Sequence, residues 1–423
     1  MGAILLKNIT IDGLQKDVLI AKSLIQKIEP AGASVQWELA GDVEIMDCSG
    51  KVAIPGFVNM HVHTAMSLMR GIGEDMLFHQ WLDKIWQIES NFDSDYVYWG
   101  TKVACLEMIR TGTTSANDHY WFPAAGHKAM VEMGLRPRIS YILCDSMGPL
   151  ETDHQKEECT RVYEESRAWE DPSAFVVGCH AIYSVSTKML EWARDFAAEH
   201  GLKIHIHLSE TKKELDDCMT EHGGMTPVEY LDSLGMLGPD LIAAHTLWLS
   251  PHDIELLGKH NVNCVHNINS NLKLSSGYKF KYNELRDAGA NVCIGTDGCA
   301  SSNNLDMLEA MKTSAILQKA WRNDPAAMPI DELMKCATVN GAKALGINAG
   351  ILAEGALADI SIVDTDNPFF LSPAPFLANL IYSSHSDCID SVICNGKFVM
   401  RHKEIPDEKE IVKEARKVLN RIK

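Results

Sequence analysis

The sequence predicts an α/β protein: a (β/α)8 TIM-type barrel with a small β-sandwich domain built from both chain ends. Two observations carry this reading. Between Pro55 and Asn348, eight short apolar runs alternate with amphipathic helical stretches. Such alternation gives a parallel sheet with right-handed crossovers, and eight units over this length close a barrel. On both sides of that region the texture changes to short strands and turns.

The first 54 residues contain AILLKNITI and DVLIAKSLIQKI, β-branched stretches broken by turn residues, and end in VEIMDCSGKVAIPG with a Ser-Gly turn and a Pro-Gly. The barrel strands are then expected at Phe57–His63, Thr113–Asp118, Arg138–Cys144, Ala174–His180, Lys203–Leu208, Leu241–His245, Asn261–His266 and Asn291–Asp297. Between them lie helical patterns such as DYVYWGTKVACLEMIRTG and STKMLEWARDFAAEHG, the second stopping at His-Gly. After Asn348, GILAEGALADISIVD and DSVICNGKFVMRHKE read as strand pairs, and a charged helix over Asp407–Lys423 closes the chain. The expected division is therefore 1–54 and 349–423 for the small β domain and 55–348 for the barrel.

Composition narrows the partners. Apolar residues make up 46% of the chain, enough for a large core. With 39 basic and 57 acidic side chains the formal charge is −18, which argues against nucleic acid and anionic membranes as main partners. The twelve cysteines are scattered singly without a C-x-x-C pair, a reducing-compartment pattern. MGAILLKNITIDG lacks signal-peptide architecture, and no apolar run is long enough for a bilayer. A cytoplasmic protein is expected.

Ionisable residues end several barrel strands: His63, Asp118, His180, His207, His245, His266 and Asp297. Polar groups are costly in a barrel core unless satisfied, and the C-terminal strand rim is where barrel enzymes place their chemistry. His61 and His63 are two apart, so both face into the barrel, and one cation would account for the pair. Imidazoles with a carboxylate suit zinc, and iron or manganese accept the same ligands. Asp297, in NVCIGTDG, ends the strand that lies beside the first when the barrel closes.

KIHIHLSET offers His205 and His207; His207 is nearer the rim and is the better ligand, whereas His205, a layer lower, reads as core. Glu210 follows in the loop above, placed to carry a proton or to start a helix. His245 is a ligand or a base on water. His266 precedes an Asn/Ser-rich loop, and FVVGCHAIYS around His180 has no Lys to bridge two ions, so a single metal is expected. His79, Trp81 and Trp86, in EDMLFHQWLDKIWQIES, fit helix packing better than a pocket cover. The chain has no Pro-Cys dipeptide, no Walker-type loop and no dinucleotide fingerprint.

Taken together, H-x-H after PGFVN, IHLSET, AAH, HNINSNLKL and GTDGCAS resemble the amidohydrolase superfamily. Within it, the chain is similar to the methylthioadenosine/S-adenosylhomocysteine deaminase branch, which shades into chlorohydrolases and other aminohydrolases. The resemblance implies one Zn2+ per subunit on His61, His63, His207 and Asp297, a proton shuttle at Glu210 and a water-orienting His245. It matches Glu89 to a ribose-binding carboxylate, although Glu89 alone would read as a solvated helix position. His180 and Ser301 match substrate contacts, and His266 joins them. Arg136 and Arg138 lie near the expected holder of a homocysteine carboxylate, while DSMGPLETDHQ has no second Arg, which favours smaller adenosines. The implied reaction is hydrolytic deamination of 5′-methylthioadenosine, S-adenosylhomocysteine, 5′-deoxyadenosine or adenosine, with ammonia released. The alternative is an aminohydrolase or chlorohydrolase for guanine, pterin or triazine rings; a non-catalytic scaffold would not keep every ligand. Similar proteins form dimers or tetramers, so a homo-oligomer is expected.

Overall fold

A computed structural model of the chain describes residues 2–37, 42–147 and 151–421. Two eight-stranded sheets organise them. The first comes from both chain ends: β1 (Ala3–Ile11), β2 (Leu14–Ala21), β3 (Leu24–Pro30), β4 (Val43–Asp47) and β5 (Lys51–Pro55) join β14 (Ile360–Asp364), β15 (Ile389–Cys394) and β16 (Lys397–Met400). Its core is Ile4, Leu6, Ile9, Val18, Ile20, Ile360, Ile362 and Ile393.

The second sheet is parallel and runs in chain order: β6 (Phe57–Val62), β7 (Thr113–His119), β8 (Arg136–Leu143), β9 (Phe175–Ala181), β10 (Lys203–Leu208), β11 (Leu241–His245), β12 (Asn263–His266) and β13 (Asn291–Ile294). All six residues of β6 and all seven of β7 are buried, as expected of strands covered on both faces. Pro55 pairs with Ile360 in the small sheet, and Phe57 donates its N–H to the Gly112 carbonyl in the barrel. The chain thus passes between the two sheets at Gly56. At the other end of the barrel sheet, the N–H of Asp297 donates to the His61 carbonyl at 2.9 Å, and Asn59 is bonded to Thr296 through both its amide atoms. These contacts close the barrel.

Helices fall where apolar periodicity and caps place them. Helix α1 (Phe78–Glu89) packs Trp81, Leu82 and Ile85 onto Met66 and Met69, but Trp81 and Trp86 also line the cavity at the barrel rim, so packing is not their whole role; His79 is exposed. Helix α2 (Ser94–Arg110) is capped by Asp93, which accepts the Tyr96 N–H. The helix Thr187–His200 ends at Gly201, whose φ of +65° is the left-handed cap a glycine supplies. The terminal helix spans Glu408–Leu419, and the last two residues expected in it lie outside the described residues, as do 148–150 of DSMGPLETDHQ.

Several strand ends differ from expectation by a residue or more. The second strand runs through His119, the third begins at Arg136, and the eighth stops at Ile294, leaving Asp297 in a loop. Extending the second strand matters most. Asp118 faces outward, accepting the Thr64 N–H at 2.8 Å and the Thr64 hydroxyl at 2.9 Å, so it does not join the other ionisable groups at the rim.

Candidate metal centre and active site

The first two histidines leave the end of β6, His61 within the strand and His63 just beyond it. The Asp297 carboxylate arrives from across the closing seam, with Oδ1 at 3.3 Å from His63 Nε2 and 3.6 Å from His61 Nε2. His207, on β10, places Nε2 at 3.3 Å from His63 Nε2. Nitrogens bound tetrahedrally at 2.0–2.1 Å from a zinc-sized ion would lie about 3.3 Å apart, the spacing of this set. His61 Nε2 is buried without a hydrogen-bond partner among the described residues. A buried polar atom left unpaired is costly, and a cation among these four side chains would satisfy it.

Protonation agrees with that use. His63 Nδ1–H donates to the His119 carbonyl at 2.5 Å, and His207 Nδ1–H to the His180 carbonyl at 2.6 Å. Each ring then keeps a lone pair on Nε2. Burial pushes the His61 and His207 pKa values down and so holds both rings neutral. Burial alone would raise Asp297, but the close approach of the His61, His63 and His245 rings holds it well below the usual carboxylate range. Asp297 has φ +62° and His245 φ +78°, left-handed conformations of the kind that gather at functional sites.

Glu210 stands above the cluster, its Oε1 at 3.6 Å from His245 Nδ1. It does not start the next helix: Thr211 is the cap of Lys212–Glu221. Instead, the loop at Ser209 and Glu210 is held by Glu214, whose carboxylate oxygens accept their two N–H groups at 2.8 and 2.7 Å. Burial, followed by the charges of Asp297 and Glu214, raises Glu210 well above an ordinary carboxyl. Burial also raises Glu214, to about 7, against the three backbone N–H groups that lower it.

The loop after β12 positions His245. Its Nδ1 lies 2.8 Å from Asn271 Nδ2 and 3.4 Å from Asn267 Nδ2, and its Nε2 is 3.9 Å from Asp297 Oδ2. HNINSNLKL thus works through its asparagines. His266 itself is buried off the cavity and stacks on Phe280 at 4.0 Å, which corrects its expected place at the substrate.

Across the same cavity, Glu89 ends α1 and is buried. It accepts the Tyr120 hydroxyl at 2.6 Å and the Trp121 Nε1–H at 3.2 Å. Burial raises its pKa, opposed by those two hydrogen bonds. His180 lines the cavity too, with Nδ1 at 2.6 Å from Ser184 Oγ. Beyond Glu89 a second, mainly apolar cavity of about 600 Å3 adjoins the first, walled by Phe92, Phe122, Tyr141 and Met147.

Two further expectations fail. Arg136 begins β8 at the far end of the barrel, where its guanidinium meets Asp359 at 3.2 Å and Asn395 at 2.9 Å. Facing the small sheet, it cannot hold a substrate tail. Ser301 is buried, gives its hydroxyl to the Gly298 carbonyl at 3.0 Å and does not line the cavity. The structure adds residues that sequence reasoning missed: Tyr120 and Trp121 on Glu89, Glu214 under Glu210, Asn271 on His245, and His119 in the cavity wall. Two-residue alternation along TTSANDH was the available signal for His119, because it puts Asn117 and His119 on one face.

Comparison with known proteins agrees with this geometry. Residues 52–399 match the amidohydrolase family. A 5′-deoxyadenosine deaminase from Methanoregula boonei is 42% identical over 403 residues, covering 92% of this chain and 89% of that protein. A 5-methylthioadenosine/S-adenosylhomocysteine deaminase from Archaeoglobus fulgidus is 40% identical over 382 residues, covering 89% and 90%. Among solved structures, an adenosine deaminase from Xanthomonas campestris with bound zinc superposes with a TM-score of 0.92 at 30% identity, covering 99% of this chain and 98% of that one.

Proposed function

Because the chain belongs to the amidohydrolase family, we propose that it is a zinc-dependent hydrolytic deaminase of adenine-type nucleosides, releasing ammonia and the inosine-type product. One observation carries the reading: a single cavity holds the proton-handling Glu210 beside the His/Asp cluster at one end and the buried carboxylate of Glu89 at the other.

Zinc on His61, His63, His207 and Asp297 would lower the pKa of water toward about 7 and so supply hydroxide at neutral pH. His245, whose Nδ1 accepts from Asn271 Nδ2 and whose Nε2 therefore carries the ring proton, orients the attacking oxygen, and Asp297 takes its proton. Glu210, held in its protonated form by burial, gives a proton to the ring nitrogen beside the amine-bearing carbon as the oxygen adds there. The adduct collapses with loss of ammonia, and the amine leaves with a proton returned through the same carboxyl. At the other end, Glu89 accepts the two ribose hydroxyls, with Tyr120 and Trp121 fixing its plane.

The adjoining cavity would take the 5′ substituent. Its walls are largely apolar, and the one arginine at its edge, Arg161, is already paired with Glu158 and Glu165 on an exposed helix face. An uncharged 5′ group such as methylthio therefore suits it better than a homocysteine tail.

A screen for ammonia release tests this reading. Adenosine, 5′-deoxyadenosine and methylthioadenosine should turn over, with kcat/KM at least about tenfold above that for S-adenosylhomocysteine, a difference near 1.4 kcal/mol. Release from guanine or a triazine, and from no adenosine, would favour the alternative ring chemistry.

A further inference from the structure

The cavity beyond Glu89 is larger than the 5′ groups considered so far require. It measures about 600 Å3, within the range of about 300–1,000 Å3 that sites for drug-sized ligands occupy. A methylthio group has only two heavy atoms. Glu89, Tyr120 and Trp121 line both cavities, so the larger one opens from the Glu89 end of the smaller.

Its walls keep apolar surface in contact with solvent. Phe122 is 43% exposed and Met147 48%, and both line the cavity with the half-buried Tyr141. Apolar side chains gathered on one concave surface mark a binding site for an apolar group. Phe122 is held there against its backbone preference. It has φ +53° and ψ +58°, left-handed values that are uncommon for a bulky residue, and it precedes a proline, which favours extended backbone. Its carbonyl accepts the N–H groups of Ala125 and Gly126 at the start of the helix Pro123–Glu132, which anchors the ring at the wall. Met147 adds a flexible, polarizable thioether that adapts to ligand shape. The charges at the edge, Glu158 and Arg161, are paired with each other at 2.8 Å.

We propose that this protein takes adenosines carrying bulky apolar 5′-thioethers, such as butylthio or phenylthio, and prefers them to methylthioadenosine. This rests on the reading of the site as a nucleoside deaminase with Glu89 on the ribose. The thioether leaves the ribose into the larger cavity, where Phe122, Tyr141 and Met147 cover it. The tail is remote from the carbon under attack, so its burial stabilises the bound substrate and the transition state alike. KM then falls with tail length while kcat stays constant. A fully buried methylene contributes about fourfold in affinity, and with one side of this cavity open to solvent about twofold is expected.

The test measures ammonia release from adenosine and from its 5′-methylthio, ethylthio, butylthio and phenylthio derivatives, for wild type, Phe122→Gly and Val162→Phe. In wild type kcat/KM should rise about twofold or more per methylene, so about eightfold or more from methylthio to butylthio, and the rise should lie in KM. Phe122→Gly removes one wall and supplies the residue that the left-handed backbone favours, so Tm should stay near wild type. Its butylthio-to-methylthio ratio should fall by about threefold or more. Val162, buried on the helix Thr152–Ser166, lines the same cavity, and Val162→Phe fills part of it and should lower the ratio as well. A flat or falling series in wild type would overturn the proposal, as would an unchanged ratio in Phe122→Gly. If Val162→Phe fails to fold, wild type and Phe122→Gly decide. No ammonia from adenosine or any thioether would bring down the deaminase reading itself, whereas a flat series with methylthioadenosine consumed removes only the preference for bulky tails.

Discussion

Asp297 donates its backbone N–H to the His61 carbonyl at 2.9 Å, so the bond that closes the barrel also joins two of the proposed metal ligands. Gly295 permits that approach. A Cβ there would stand 2.8 Å from the His61 N, 2.9 Å from its Cβ and 2.5 Å from Asn267 Oδ1. Two of those atoms belong to a strand that cannot move cheaply. Gly295→Ala should cost about 1–3 kcal/mol of stability through overpacking, and the purified protein should carry less than half the wild-type zinc. Metal analysis and thermal unfolding check this; full zinc occupancy would mean that the seam yields without disturbing the ligands.

The Tyr120–Glu89 contact predicts how specificity fails. Removing a hydrogen bond to a charged acceptor costs about 1.5–3 kcal/mol. Tyr120→Phe should therefore lower kcat/KM for adenosine by about 10–100-fold, and Glu89→Ala by more. Any turnover of the free base adenine should be nearly unchanged in both. Parallel losses on nucleoside and base would show that Glu89 acts on the chemistry rather than on the ribose.

How far the site was legible follows from its geometry. His61, His63 and His207 could be read because strand alternation and nearness to a strand end are local properties of the chain. Asp118 misled because the strand runs one residue further, and a one-residue step reverses which side chain faces the core. Arg136 misled for a related reason: the strand starts there, which puts it at the wrong end of the barrel. Glu89 has no periodic signal, and the Tyr120 and Trp121 that bury it come from another part of the chain.

The pH profile should report Glu210. Its carboxyl is raised by burial and then by the charges of Asp297 and Glu214, so the proton-donating form persists above the usual carboxyl range and is lost as pH rises through the raised pKa. An alkaline fall in kcat/KM is expected. Glu214→Gln removes one of the neighbouring charges and should move that fall to lower pH. It also leaves one oxygen where two now hold the Ser209 and Glu210 N–H groups, so kcat should drop several-fold, as expected for one lost hydrogen bond of about 1 kcal/mol. Glu210→Gln should nearly abolish turnover while zinc content, measured on the same samples, stays at the wild-type level. An alkaline limb unmoved in Glu214→Gln would assign it to another group.

His266 should set an acid limit on stability. The ring is fully buried, neither nitrogen has a partner among the described residues, and burial lowers its pKa to about 3. In the unfolded chain the imidazole takes up a proton below about 6.5, whereas in the folded protein it stays neutral. The stability contribution is therefore fully present above that pH and is lost as pH falls, by about 1.4 kcal/mol per unit, or about 2 kcal/mol between pH 6.5 and 5. His266→Leu keeps an apolar surface against Phe280 and removes the ionisable group. Chemical unfolding of the metal-free proteins at pH 7 and pH 5 should give a difference between the two pH values that is about 2 kcal/mol smaller in the variant than in wild type. An equal difference would show that the folded protein already protonates this ring, and that an acceptor reaches it in solution.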